Sequence, residues 1–370
     1  MPDPLSFRCQ FRTGSMSHPL LCAAAGVALA AVLAPSPAKA QTAPPIITPA
    51  DYAAPRAGIV ALTDLGSHFL RRLGQQATWG YNVALGSNPN GGGASESMTN
   101  STVRSWAEGY GLGARTNRQG DFVGDTRQTV GAVGGLGLTL APGFNVNVSV
   151  DQSRTRIDVP LALQTGTIDL TQLGVVASYT SGAWTIAGAA VQGFGRIGTN
   201  RDTGFGFATS GYNARVTGFL GELSYYYGIG DTRIVPKANI EYVRGATDAM
   251  QEAGGLEPIS AGPAFAERAR VMFGAEIGRY WIFDQKILDL SAYAKFVDNF
   301  YQHIAPVAVS APFSGTITVQ GVRESMYGAD FGSSASLTLT SMARVYLNYD
   351  GKYRASNSSH QGTLGLELKW

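Results

Sequence analysis

The sequence predicts an all-β fold, a transmembrane antiparallel β-barrel of about twelve strands, with a short N-terminal helix that is a candidate occupant of the pore. Three observations carry this reading: an alternating stretch that ends the chain on an aromatic, connections of alternating length after Val103, and a low charge content. In the last stretch, Gly362 to Trp370, Leu364, Leu366, Leu368 and Trp370 share one face, and Thr363, Gly365, Glu367 and Lys369 share the other. An ordinary amphipathic edge strand would alternate in the same way. A last strand that zips against the first leaves no edge, and its apolar face then meets lipid.

Composition narrows the class. The chain has 370 residues, only 15% of them charged, and a formal net charge of +2, which argues against a disordered chain and against a nucleic-acid binder. A soluble protein of this size carries roughly a quarter charged residues, so the deficit implies a large surface that does not face water. The two cysteines, Cys9 and Cys22, both lie near the N-terminus, so the remainder is expected to hold neither a disulfide nor a cysteine metal site.

In chain order, Arg8 and Arg12 precede an apolar run from Leu20 to Ala34, followed by Pro35, Pro37 and Ala38-Lys39-Ala40. This pattern predicts a secretory signal peptide over residues 1–40, with Met16 as an alternative start. Residues 41–56, rich in Pro and Ala and without periodicity, are expected to form a flexible tail too short for a passenger-sized domain. Between Ala57 and Thr78, Leu62, Leu65, Phe69 and Leu73 follow three- and four-residue steps, which predicts a helix. Gly58, Gly66 and Gly74 weaken that pattern. Gly86 to Thr102, with Asn88-Pro89-Asn90-Gly91, reads as a linker, so that helix and linker fill residues 57–102 and the barrel residues 103–370.

The strands follow. Phe144, Val146, Val148 and Val150 alternate with Asn145, Asn147, Ser149 and Asp151, as a strand between lipid and an aqueous lumen requires. The same rhythm recurs at Leu136–Leu140, Ile234–Tyr242, Leu288–Phe296 and Val345–Tyr353. Short turns are expected at residues 141–143, 181–182, 228–231, 284–286 and 340–341. Long loops are expected over roughly 153–166, 198–211, 245–266, 302–316 and 355–361. Tyr179, Trp184, Tyr225, Tyr226, Tyr227, Tyr280, Trp281, Phe283 and Trp370 would form a periplasmic aromatic girdle, with Phe205, Phe207, Tyr242, Phe300 and Tyr353 nearer the outer one. Inward positions would be lined by Lys237, Glu241, Arg270, Glu276, Lys295, Asp330, Arg344, Asp350 and Glu367, mixed in sign.

The end of the chain, ARVYLNYDGKYRASNSSHQGTLGLELKW, resembles the closing hairpin of autotransporter β-domains, and SWAEGYGLGARTN resembles the family's first strand. The resemblance implies an outer-membrane barrel that forms a pore for export or surface display of an N-terminal segment. It also implies outer-membrane lipid, periplasmic chaperones and the barrel-assembly machinery as partners, with Leu364, Leu366, Leu368 and Trp370 as the assembly signal. A monomer is expected, without nucleic acid, cofactor or metal. The alternatives are a stand-alone small-solute pore or a surface-loop adhesion protein, and more remotely an outer-membrane hydrolase using His303 or His360 beside Ser358 and Ser359. That last reading needs an oriented third group and an oxyanion donor pair, so no catalytic residue is assigned.

Overall fold

The computed structural model describes residues 47–84, 103–284 and 286–370, with helix side chains as far as Ala77. The expected signal peptide and the linker over 86–102 lie outside the described residues. Twelve long strands form one antiparallel sheet: β1 (Val103–Thr116), β2 (Asp125–Ala141), β3 (Phe144–Val159), β4 (Gln164–Ser181), β5 (Trp184–Asp202), β6 (Phe207–Tyr225), β7 (Thr232–Thr247), β8 (Ala264–Phe283), β9 (Lys286–Ile304), β10 (Tyr327–Thr338), β11 (Ala343–Arg354) and β12 (Asn357–Lys369). Each pairs with its neighbour in sequence, and β12 returns to β1 with Leu364 opposite Gly109, so the barrel is closed. The closure continues to the last residue: the Val103 amide donates to the Trp370 carbonyl at 3.2 Å, and the Trp370 amide to the Val103 carbonyl at 3.1 Å.

One end carries tight turns and the other carries the longer connections. Gly143, Gly182 and Gly230 have positive φ in the tight turns, a conformation that glycine adopts without a Cβ clash. At the opposite end, three of the expected long loops prove to be mostly strand: β3 runs to Val159 and β4 begins at Gln164, β5 reaches Asp202 and β6 starts at Phe207, and only two residues separate β11 from β12. Beyond the apolar band both faces of these strands carry polar residues, as in Gln152-Ser153-Arg154-Thr155-Arg156, and alternation disappears although the ladder continues. The two longest connections hold short strands of their own. Met250–Gln251, Ser260–Ala261, Val307–Ala311 and Gly315–Val319 form a separate four-stranded sheet at this end, and Gly315–Val319 packs beside Pro49–Tyr52.

The N-terminal element is longer than its pattern predicts. Pro49–Tyr52 forms a 3-10 turn, with the Thr48 amide and hydroxyl both donating to Asp51 Oδ2 at 2.8 Å, and α1 then runs over Ala53–Ala84. The stretch expected to be tail up to Arg56 is thus partly helical and buried. Pro55 is tolerated because it falls in the first turn, where no backbone N–H is needed by the helix.

The helix threads the barrel lumen from the loop end to the turn end. Near its start, the Ala54 amide donates to Gln164 Oε1 at 2.7 Å and Arg56 pairs with Asp121 at 2.7 Å; further along, Arg104 at the start of β1 donates to the Gln76 carbonyl at 2.9 Å. Its apolar face, with Leu62, Phe69, Leu70 and Leu73, meets a wall of inward-facing Ile157, Ile168, Leu170, Ile197, Val216 and Val243. The lumen is therefore not uniformly polar, as the two-faced pattern predicts. Part of it is a dry seat for a helix.

The helix glycines explain themselves here. A Cβ at Gly66 would lie 2.5 Å from Val216 Cγ1, and one at Gly58 3.3 Å from Ile197 Cδ1, so their absence lets the helix backbone approach the wall. Gly66→Leu is expected to unseat the helix, at a cost of about 1–3 kcal/mol for overpacking, while the barrel still folds. Limited proteolysis of the folded protein checks this: cleavage between Leu62 and Leu70 should appear in the variant only.

Candidate functional site

The helix and its wall form one network of buried ion pairs in three tiers. At the loop end, Arg201 on β5 contacts Asp51 at 3.1 Å and Glu252 at 2.7 Å, while Gln164 Nε2 donates to the carbonyls of Ala50 (2.8 Å) and Asp51 (3.0 Å). In the middle, Asp64 on the helix accepts from Arg127 at 2.9 Å, and Arg268 lies 3.5 Å away; Ser67 donates to Glu241 at 3.2 Å and accepts from Lys352 at 3.0 Å and from Arg270. Arg270 itself grips Glu241 at 2.9 and 3.0 Å. At the turn end, Arg72 lies between Glu108 (3.6 Å) and Asp151 (3.4 Å) with its guanidinium 3.4 Å above the Tyr110 ring, Arg71 approaches Asp350 at 3.6 Å, and Gln76 donates to Glu108 at 3.0 Å. The arrangement sets the charges on the polar face of the helix against opposite charges on the wall, as burial of those charges demands.

Of the residues expected to line the lumen, Glu241, Arg270 and Asp350 touch the helix. The others pair along the wall: Lys237 with Glu276 at 2.9 Å, Lys295 with Asn239 at 2.8 Å, Asp330 with Arg354 at 2.7 Å, and Arg344 with Glu367 at 2.7 Å. Arg71 and Arg72 meet Asp350, Glu108 and Asp151. Glu108, Arg127 and Arg268 are missing from the residues expected to line the lumen, although each occupies the inward parity of its strand. Glu324 had no such signal, being in an aperiodic segment that folds inward, where its carboxylate meets Arg268 and Asn357 and its amide donates to Gln302. Tyr226, expected in the periplasmic girdle, lines an interior cavity instead.

Leu364, Leu366, Leu368 and Trp370 all point outward and are exposed. Ser359 is buried on the inner face, whereas His360 faces out, its Nδ1 2.7 Å from the Tyr349 hydroxyl, so these two residues are not brought together. His303 is also exposed, edge-on to Phe265.

The central pair is open to a direct test. Arg270→Met should cost about 3–5 kcal/mol by leaving Glu241 without its closest cation, and adding Glu241→Gln should recover much of the loss. Urea titration of the single and double variants reads this out, and equal stability of both single and double variants with wild type would contradict the assignment.

A closed barrel filled by a helix of its own chain is the architecture of a translocator. The family model described as the autotransporter beta-domain matches residues 105–350, and the chain belongs to that family. It is similar in fold to the translocator domain of the autotransporter NalP from Neisseria meningitidis, with a TM-score of 0.65 and 13% identity over 86% of this chain and 99% of that one. It is similar also to the β-domain of the Bordetella autotransporter BrkA, with a TM-score of 0.56 and 15% identity over 73% of this chain and 100% of that one. No curated protein matches the chain by sequence. The protein is an outer-membrane translocator barrel, and bacterial barrels of this class place their tight turns in the periplasm and their longer connections outside the cell.

Proposed function

We infer that the barrel exports the segment upstream of Ile47 and then holds it at the cell surface, with α1 left in the lumen as both tether and plug. The observation that supports this is the direction of the helix. Its first turn is fixed at the loop end by Gln164 and Asp121, and its later turns by Arg104 and Glu108 at the turn end, so the chain ahead of it leaves on the outer side. The same ion pairs that seat the helix close the route through which the segment passed.

The test is a reporter peptide fused ahead of Ile47 in otherwise intact protein. External protease on whole cells should remove the reporter and leave a membrane-embedded fragment that begins near Thr48. A reporter that stays protected while the barrel is folded would overturn the reading.

A further inference from the structure

The outer surface carries an unassigned charged belt. On β5 the outward apolar face runs from Trp184 to Phe194; at about 3.3 Å per residue and a tilt of about 40°, that span is about 25 Å high, the thickness of an outer-membrane hydrocarbon band. Directly above it stands Arg196. The neighbouring strands repeat the arrangement: Arg154 and Arg156 stand above Val150 on β3, Arg215 above Phe219 on β6, and Arg244 above Tyr242 on β7.

Two of these arginines have acidic neighbours, Arg154 with Asp169 at 3.5 Å and Arg244 with Glu267 at 3.2 Å. Arg156, Arg196 and Arg215 are exposed and make no ion pair among the described residues, although Asp158 shares the outward face of β3 with Arg156 and Asp169 stands opposite Arg196 in the ladder. On the opposite arc, the outward rim positions hold Arg115 on β1, Asp298 on β9, Tyr353 on β11 and His360 on β12. Outward rim arginines are therefore concentrated on the β3–β7 side, at the height of the lipid headgroups and not at the loop tips.

We propose that the arginine belt of β3–β7 is a binding surface for the phosphate groups of an outer-leaflet glycolipid, whose acyl chains lie on the apolar face below. A planar guanidinium pairs with phosphate through two parallel hydrogen bonds, and beside lipid such a pair is screened less than in water. A free anion would gain the charge contacts but nothing from the apolar face.

The experiment uses the full chain, folded in neutral detergent, with bis-phosphorylated lipid A as the probe and heat-modifiable migration as the check of folding. Wild type should bind the probe, and Arg156→Gln/Arg196→Gln/Arg215→Gln should weaken binding roughly a hundredfold, at roughly fivefold per charge. The corresponding triple lysine variant should stay within about tenfold of wild type, because it keeps the charge. Arg279→Gln/Lys286→Gln, at the turn-side rim, should change nothing. Equal binding by the glutamine variant, equal binding of dephosphorylated lipid A, or inorganic phosphate binding as tightly as the lipid would each overturn the proposal.

Discussion

Removing residues 53–77 is expected to raise the single-channel conductance of the folded barrel several-fold. A helix with its side chains is about 10–12 Å across and fills most of the interior of a barrel of this size. Beside it stand small cavities, among them one of about 60 Å³ near Glu276 and Asp289, one of about 50 Å³ near Glu222 and Lys295, and one of about 40 Å³ near Arg268 and Gln302, each with room for a few waters. Between the loop end and the turn end on that side stand the Arg268–Glu324 contact and the Arg354–Asp330 pair at 2.7 Å. Without the helix, the freed wall would present Arg127, Arg268, Arg270 and Lys352 against Glu108, Asp151, Glu241 and Asp350. The opened pore should therefore discriminate weakly between cations and anions. Conductance unchanged by the deletion, in planar bilayers, would place the helix outside the conducting path.

Deleting Trp370 is expected to lower the amount of folded barrel in the outer membrane sharply while leaving protease-sensitive chain in the periplasm. In the finished barrel the residue contributes modestly. The residue is 56% exposed on the lipid side, and its backbone adds the last hydrogen bonds of the β1–β12 seam. Losing the ring's contacts and those bonds costs about 2–4 kcal/mol, which a closed twelve-strand ladder can absorb. Outer-membrane barrels also depend on assembly machinery during folding, and the deletion tests whether the exposed outward row of Leu364, Leu366, Leu368 and Trp370 is what that machinery recognises. Trp370→Phe should preserve assembly. Leu366→Asp should fail for a different reason, by placing a charge against lipid. Quantifying the heat-modifiable form in outer-membrane fractions separates these outcomes, and wild-type levels of the Trp370 deletion would remove the assembly role.

What the sequence revealed follows from where alternation survives. In the hydrocarbon band one face must be apolar and the other is free to be polar, so β3 from Phe144 to Asp151 and β12 from Gly362 to Trp370 could be read directly. Above the band that contrast vanishes, and the outer halves of β3 to β6 looked like loops. Inside the lumen the pattern misleads in another way. Ile157, Ile168, Leu170 and Val216 are apolar yet inward, because their partner is a helix and not water. The helix was shortened by the same local view: Ala53 to Arg56 carries no apolar period of its own, and Gly58, Gly66 and Gly74 count against a helix until the wall they approach is known. Asp64 and Ser67 belong to the site only through partners between 63 and 285 residues away in sequence, which no single-chain periodicity encodes.

The most direct test of the account is the accessibility of the two ends of the pore in living cells. Cys9 and Cys22 are the only native cysteines, and both fall in the expected signal peptide, so single cysteines can be placed at Thr48→Cys and, in a separate protein, at Gly182→Cys. Thr48 is exposed at the start of the lumen helix, and Gly182 lies in the tight turn between β4 and β5. A membrane-impermeant maleimide added to intact cells should label the first and spare the second until the outer membrane is permeabilised. Labelling of Gly182→Cys but not Thr48→Cys on intact cells would contradict the account, because the helix would then lead into the periplasm and nothing upstream of it could stand at the surface.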